Sequence, residues 1–213
     1  MQTSSRLGGS FYHRDTTTVA QDLLGKVLVR QLAEGKRLAG VIVEVEAYLA
    51  HDDPASHSFR GRGKSNASMF GAAGTLYVYP IHAKHCLNIV TEAEGFGAAV
   101  LIRALEPTEG SDAMLVHRAT IAKQNLTTGP GKLCQALAVD RSLDGTNLIT
   151  SPHIWLEQAP AHVLARQWTV RTSPRIGISQ AVERPLRWFI DGHRFVSGCA
   201  RDHSCRRDWS FDS

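Results

Sequence analysis

The chain has 213 residues, of which 43% are hydrophobic, and a formal net charge of +4 at pH 7. This length favours one domain with a sizeable core, and no apolar run approaches the ~18 residues of a membrane helix. The four cysteines form no CxxC pair and are too few for a disulfide framework. These features exclude a membrane span and predict an intracellular protein, in the cytoplasm or nucleoid of a bacterium or the nucleus of a eukaryote.

The first part of the chain predicts an arm, a helix and a β-hairpin. Residues 1–10 are polar and contain serine and glycine, which is typical of a flexible N-terminal arm. A helix is predicted over Thr18–Leu24. Two β-branched runs, Lys26–Leu32 and Leu38–Tyr48, flank a short loop with a glycine and predict the hairpin.

The rest of the chain alternates between strands and helices after one long loop. Residues 49–74 have neither helical nor strand periodicity, and so long a loop in a compact domain is usually functional. The predicted strands are Thr75–His82, His85–Thr91, Ala98–Leu105, Ile154–Glu157, Trp168–Arg171 and Leu186–Ile190, and the predicted helices are Glu109–Gln124 and Gly131–Val139. The early connections are too short for crossover helices, so we expect a mixed α and β class with a largely antiparallel sheet.

The second strand of the hairpin carries a pair of candidate catalytic carboxylates. Strict alternation puts Val41, Val43 and Val45 on one face and Glu44, Glu46 and Tyr48 on the other. Two neighbouring carboxylates disfavour each other's ionisation, and one of them beside an apolar wall is suited to act as a general base. The alternative interpretation is the solvated polar face of a half-buried strand.

The long loop that follows carries cations among small residues. Arg60, Arg62 and Lys64 stand among glycines and serines. Arginine and lysine neutralise phosphate charge, while glycine and serine leave backbone amides accessible to phosphate oxygens. The pattern predicts a contact with phosphate groups, although an ordinary basic surface loop fits it equally well.

Two further segments suit nucleic acid. Tyr77 and Tyr79 share one face of a predicted strand, where their rings form either plain core or the walls of a pocket for a flipped base. Gly131 and Lys132 follow Gly129 and Pro130 at a predicted helix start. Free amides and a lysine there suit a phosphate, but a plain helix start explains the residues about as well.

Histidine and cysteine occur together in two parts of the chain. The sets are His82, His85 and Cys86, and His193, Cys199, His203 and Cys205. Neither set has a recognised spacing for metal ligands, so no metal site is predicted.

Short motifs recur along most of the chain in a definite order. They are Glu44–Leu49, Ala55–Ser58, Met69–Phe70, Gly74–Tyr79, Asn88–Ile89, Val100–Pro107, Gly129–Leu137, Pro174–Ile178 and Arg184–Trp188. In order and spacing they resemble the alkyladenine (3-methyladenine) DNA glycosylase family, over roughly residues 10–198. The resemblance implies an α/β fold of mixed α+β type, in which a curved, largely antiparallel sheet is flanked by helices. It makes residues 11–199 a single glycosylase domain and leaves 200–213 as a C-terminal tail that we expect to be mobile.

The resemblance also implies a role for each matching residue. Glu46 matches the general base that activates the attacking water, and Arg103 matches a residue that positions this water. Tyr48, His57 and Tyr79 match the pocket walls that stack on the base, and His57 also matches the position that reads its edge.

Two more matches concern selectivity and base flipping. Asn88 matches the residue that crowds the exocyclic amino group of undamaged guanine. His82 stands where the family has an aromatic wedge, and the hairpin Pro80–Leu87 is one residue shorter than in the family. A histidine is smaller and can be charged, which predicts weaker and more pH-dependent flipping.

The activity that the resemblance implies is that of a monofunctional DNA glycosylase in base excision repair. It would remove alkylated or deaminated purines, such as 3-methyladenine, 7-methylguanine and hypoxanthine, from double-stranded DNA, as a monomer with water as nucleophile and no cofactor. One alternative is a non-catalytic nucleic-acid-binding domain of this fold, like the tRNA-binding part of a formyltransferase, which would need neither Glu46 nor Arg103. Another is a divergent glycosylase specialised for one lesion.

Overall fold

Five α-helices, three short 3₁₀ helices and eight β-strands lie in the part of the chain that the computed structural model describes, residues 6–33 and 35–198. The helices are α1 (Gly9–Tyr12), α2 (Thr16–Leu23), α3 (Ser111–His117), α4 (Pro130–Ala136) and α5 (Ala161–Leu164). The strands are β1 (Val27–Gln31), β2 (Arg37–Tyr48), β3 (Leu76–Ile81), β4 (Lys84–Thr91), β5 (Ala98–Glu109), β6 (Ile154–Glu157), β7 (Val170–Ser173) and β8 (Arg187–Ile190). None of these helices has the length and apolar character that crossing a membrane requires.

All eight strands belong to one sheet, and each described pairing is antiparallel. Six strands follow the order β3-β4-β5-β2-β1-β6, while β8 pairs with β2 and β7 pairs with β8. Because β2 pairs with β1 through its first half and with β8 through its second half, the sheet branches at β2 and curls. The predicted class, mixed α and β with a curved antiparallel sheet flanked by helices, is confirmed.

The long strand β2 is buried on both faces, and this explains why charged residues in it reach the interior. One face packs in the main core, to which α2 contributes Leu23 and α4 contributes Leu133. The other face packs in a second core that includes Val163 and Phe189. A carboxylate within such a strand is removed from water, so it needs charged or hydrogen-bonding partners.

An irregularity in the pairing of β2 with β5 overturns the predicted alternation along β2. Val43 in β2 and Arg103 in β5 have no Cα partner in the ladder that joins these strands. Val41 and Val43 therefore pack in the second core, whereas Val45 packs in the main core. The three valines do not share a face, because one extra residue in a strand reverses the side-chain alternation beyond it. The bulge at Arg103 lies beside the two glutamates that its side chain contacts.

The predicted helix over residues 109–124 was wrong at both ends. Strand β5 continues through Glu109, and α3 covers only Ser111–His117. Gly110 separates them with a φ of 75°, and a Cβ at this position would lie 2.4 Å from the Leu38 side chain. A glycine is therefore required where the strand turns into the helix.

The segment that precedes α1 contacts the rest of the domain. Within the predicted arm, Leu7 is buried and Arg6 donates to the carbonyl oxygens of Ile149 and Ser151. The described part of this arm, residues 6–10, thus packs against the domain. Residues 1–5 and the predicted tail, 200–213, lie outside the described residues, as do Cys199, His203 and Cys205 of the second histidine and cysteine set.

Candidate active site

A cavity of about 440 Å³ opens beside the curled sheet. Strands β2 to β5 provide its floor, and the loops after β2 and β7 provide its walls. Its lining residues are Tyr48, Pro54, Ala55, His57, Tyr79, Ile81, Cys86, Leu101, Arg103, Pro130, Ile176, Gly177, Ile178, Ser179 and Gln180. Four side chains that the sequence predicted for a base pocket or its chemistry, Tyr48, His57, Tyr79 and Arg103, therefore meet in one cavity.

The carboxylate of Glu46 lies directly behind this cavity. The residue is fully buried, and its Oε1 accepts a 2.7 Å hydrogen bond from the backbone N–H of Ile176. Arg103 Nη1 lies 3.1 Å from the same oxygen, and the hydroxyl of Tyr48 donates to Oε2 at 3.0 Å. All three partners line the cavity. Glu46 is thus held at the edge of the cavity by three groups from its lining.

Tyr48 supports this arrangement as a permanent donor. Burial raises the pKa of its hydroxyl, and the nearby charge of Glu46 raises it further. The phenol therefore keeps its proton at neutral pH and donates a hydrogen bond to Glu46.

Glu44 has a different surrounding, although it is only two residues away. Its carboxylate is fully buried and accepts hydrogen bonds from Arg103 Nε at 3.0 Å and Arg187 Nε at 2.7 Å. The backbone N–H and the hydroxyl of Ser197 donate to it at 2.6 and 2.9 Å. Glu44 is thus occupied by four donors. Burial alone would lower the pKa of Arg103, but the charges of Glu46 and Glu44 outweigh this effect and raise it.

A buried ion pair joins the two loops that wall the cavity. Arg175 donates to both carboxylate oxygens of Asp53 at 2.6 Å, and to the carbonyl oxygen of Ala47 at 2.9 Å. Its guanidinium carbon also lies 4.7 Å from the ring centroid of Tyr48. Burial would raise the pKa of Asp53, yet the bonds from Arg175 hold it below its usual value. The pair fixes the loop in which Ile176 faces Glu46.

Aromatic side chains from β3 and from the loop after β2 cluster at the cavity. The rings of His57 and Tyr79 lie 4.6 Å apart at 65°, and those of Tyr77 and Tyr79 lie 5.3 Å apart at 31°. His57 Nδ1 lies 2.8 Å from the Tyr77 hydroxyl. Burial lowers the pKa of His57 and raises that of Tyr77 to about 12. A neutral imidazole and a protonated phenol are the expected forms at pH 7, which leaves Nε2 of His57 for another partner.

Asn88 lies in an inner recess of about 20 Å³ that shares Tyr48, His57 and Tyr79 with the cavity. It is almost fully buried, and its amide donates to the carbonyl oxygen of Tyr77 at 3.0 Å. This bond holds the side chain in one orientation at the closed end of the pocket.

His82 lies at the tip of the β3–β4 hairpin, outside the cavity lining. It forms a two-residue turn with Ala83, and both have positive φ, 43° and 57°. The preceding Ile81 is 42% exposed and does line the cavity. The tip therefore presents an apolar side chain and an imidazole side by side at the cavity entrance.

The basic loop stands in solvent next to the cavity. Arg60, Arg62 and Lys64 are all exposed. Asn66, which the sequence analysis did not single out, accepts a bond from a loop glycine and donates to the carbonyl oxygen of His57 at 2.8 Å. The loop is therefore tied to the pocket wall.

The predicted phosphate site at α4 has a structural explanation for its glycine. A Cβ on Gly131 would lie 2.8 Å from Cδ of Lys84, so the absence of a side chain lets the hairpin pack on the helix. Lys132 is half-buried in the first turn of α4, a helix of seven residues. Within residues 6–33 and 35–198, no group of three or more potential ligands is arranged to hold a metal ion.

The sequence relationships agree with this site. The sequence model of the methylpurine-DNA glycosylase family matches residues 10–194, which include every cavity residue. The chain belongs to the methylpurine-DNA glycosylase family. As a member of this family it is a DNA glycosylase, a hydrolase that acts on N-glycosyl bonds, and DNA is its partner.

Relatives from distant organisms cover nearly the same segment. A candidate 3-methyladenine DNA glycosylase of Rhodopirellula baltica is 52% identical over 202 residues, which are 92% of this chain and 85% of that protein. A second one, from Methanoculleus marisnigri, is 49% identical over 90% of this chain and 98% of its own. The DNA-3-methyladenine glycosylase of Mus musculus is 43% identical over 91% of this chain, but only 62% of the mouse protein is covered. The family resemblance inferred from the motifs is thus confirmed.

The sequence analysis assigned no role to Ile176, Asp53, Arg175 or Ser197, and it did not identify the partners of Glu44. Ile176 acts through its backbone, which leaves no signal in the side-chain type. Asp53 and Arg175 are 122 positions apart, and Glu44 and Ser197 are 153 apart. The motif Pro174–Ile178 was recognised in the sequence, and it was the signal that could have indicated the role of the loop after β7.

Proposed function

We propose that this glycosylase flips an alkylated or deaminated purine out of double-stranded DNA and hydrolyses its bond to the sugar, with Glu46 as general base. The observation that carries this proposal is the position of a buried carboxylate behind an aromatic-walled cavity, with all three of its partners lining that cavity. Base flipping is required because the bond to be cut is inaccessible to such a cavity while the base is stacked in the duplex.

The geometry supports one position for the attacking water. Arg103 Nη1 and the carbonyl oxygen of Ile176 lie 3.4 Å apart next to Glu46. A water bound to both would have the carboxylate as proton acceptor. Its oxygen forms the new bond to C1′ of the sugar, the bond from C1′ to the base nitrogen breaks, and the base leaves with that electron pair. The negative charge of Glu46 also stabilises the cationic character that develops on the sugar.

The walls of the cavity suit electron-poor purines. The rings of Tyr48, His57 and Tyr79 line the cavity and would stack on a flipped base, and a cationic base such as 3-methyladenine would gain from their negative faces. Such a base leaves as a neutral molecule. Hypoxanthine is neutral and needs protonation to leave well, so its release should depend more strongly on pH.

The substrate class is tested by base release from three kinds of duplex. Methylated DNA reports 3-methyladenine and 7-methylguanine, DNA with inosine reports hypoxanthine, and unmodified DNA serves as control. We expect chromatography to detect free bases from the methylated DNA and from the DNA with inosine, but only trace release from unmodified DNA. Binding to all three duplexes without release of any base would contradict the proposal.

Selectivity against undamaged guanine should depend on Asn88. Replacing it by alanine removes the amide that its bond to Tyr77 fixes at the closed end of the pocket. We expect the release of guanine from unmodified DNA to rise about tenfold, because exclusion of the amino group is lost. Asn125→Ala, at an exposed position, is the matched control. Equal guanine release by both variants would remove Asn88 from this role.

Binding to DNA should weaken as salt rises, through the exposed cations of the loop. Each of Arg60→Gln, Arg62→Gln and Lys64→Gln should reduce the slope of log Kd against log salt by about 0.9 if that side chain neutralises one phosphate. Fluorescence anisotropy with a labelled duplex measures the slope. Lys123→Gln, an exposed lysine beyond α3, is the control. Unchanged slopes for all three loop variants would assign DNA binding to other parts of the protein.

We also propose that the β3–β4 tip fills the gap left by the flipped nucleotide. His82 and Ile81 are both exposed there, and Ile81 lines the cavity. Gly131 and Lys132 fit a supporting contact with a phosphate beside the tip, since Lys84 packs on Gly131.

A further inference from the structure

A second cavity, of about 270 Å³, adjoins the base cavity. Pro54, Ala55, His57 and Gln180 line both, so the two spaces share part of their wall. Because the two cavities share these four residues, a strand that places one base in the first cavity would bring the adjoining nucleotide close to the second.

The second cavity has an aromatic side chain at its edge. Phe59 is 51% exposed, and it lines this cavity together with Arg60. Its backbone N–H donates to the carbonyl oxygen of Ser56 at 3.1 Å, and Asn66 ties the adjoining turn to His57. The ring is therefore presented to solvent from an ordered turn. A flat apolar face next to a guanidinium has the chemistry that binds an unstacked base and its phosphate.

We infer that this second cavity binds the base that neighbours the flipped purine, stacked on the ring of Phe59, with Arg60 at its phosphate. The inference rests on the proposed function, because the first cavity must hold the purine. A neighbouring base can occupy this second cavity only when it is unpaired. The enzyme should therefore bind lesions in single-stranded or frayed segments as well as in duplexes.

A coupling experiment between Phe59 and the neighbouring base tests this inference. Binding is measured in the Glu46→Gln background, which retains the base, with single-stranded oligonucleotides that carry hypoxanthine. The nucleotide on its 5′ or 3′ side has either a normal base or no base. Phe59→Ala should weaken binding about tenfold when the neighbouring base is present. When that base is absent on the relevant side, the same substitution should have almost no effect, because the stacking partner is already gone.

The chain offers two controls. Phe96 is 46% exposed and is part of neither cavity lining, so Phe96→Ala should leave binding unchanged. Phe59→Trp keeps a stacking face and should restore the affinity that Phe59→Ala loses.

The inference would be overturned if Phe59→Ala weakened binding equally whether or not the neighbouring base was present, on the 5′ side and on the 3′ side alike. It would also be overturned if Phe59→Ala bound as tightly as the parent protein. The effect of removing the neighbouring base can also be measured with the protein that keeps Phe59. The test therefore does not depend on the folding of Phe59→Ala. If binding stayed unchanged both when the 5′ base was removed and when the 3′ base was removed, the inference would again be overturned. Base release by the parent protein tests the proposed function separately, since the coupling requires no release.

Discussion

Replacing Glu46 by glutamine should lower the single-turnover rate of base release by about 10²–10⁴-fold. The amide keeps the shape of the side chain and an oxygen that can accept from Ile176, but it cannot take a proton from water. Binding of lesion-containing DNA should change by less than about threefold, because Glu46 lies behind residues that line the cavity and does not itself form the lining. The comparison requires enzyme in excess over a duplex with a single hypoxanthine.

Glu109→Gln is the matched control for this variant. Glu109 lies at the end of β5 in an exposed pair with Arg37, and its loss should leave the rate unchanged. If Glu46→Gln slowed release less than about tenfold, Glu46 would not be the general base.

Replacing Glu44 by alanine should destabilise the fold by about 3–5 kcal/mol. The change removes the acceptor for Arg103, Arg187 and Ser197 within the interior, and it leaves Arg187 buried without its carboxylate. Breaking one side of a buried ion pair is costly because the remaining charge has lost both its partner and water. Urea unfolding followed by circular dichroism measures the change in unfolding free energy.

The exposed pair of Arg37 and Glu109 again supplies the comparison. Glu109→Ala should cost less than about 1 kcal/mol, since water screens that pair. Equal losses of stability for Glu44→Ala and Glu109→Ala would contradict the view that the buried ion pairs of Glu44 stabilise the fold.

The difference between the two glutamates could not be predicted from the residues alone. Alternation in the strand predicts that Glu44 and Glu46 share a face, and both are in fact buried beside Arg103. Their roles are separated by residues far along the chain: Ser197 and Arg187 occupy Glu44, while Ile176 binds Glu46 from a loop that borders the cavity. The family resemblance singled out Glu46, and the contacts give the physical reason.

The fold was predictable where local rules decide it. Short connections between β-branched runs predicted the antiparallel sheet, and Ile154–Glu157 was predicted with its observed bounds. The bulges at Val43 and Arg103 depend on pairing between two strands, so the pattern within one strand could not reveal them. The predicted helix after β5 failed because Gly110 and its close approach to Leu38 set the end of the strand.

The measurement that tests the central claim most directly is the fate of an end-labelled duplex with one hypoxanthine, incubated with the parent protein. We predict free hypoxanthine in an amount equal to the strand that breaks on treatment with alkali, and intact labelled strand before alkali. Strand breakage without alkali would contradict the monofunctional reaction. Binding of the duplex without release of hypoxanthine from it would contradict its proposed hydrolysis.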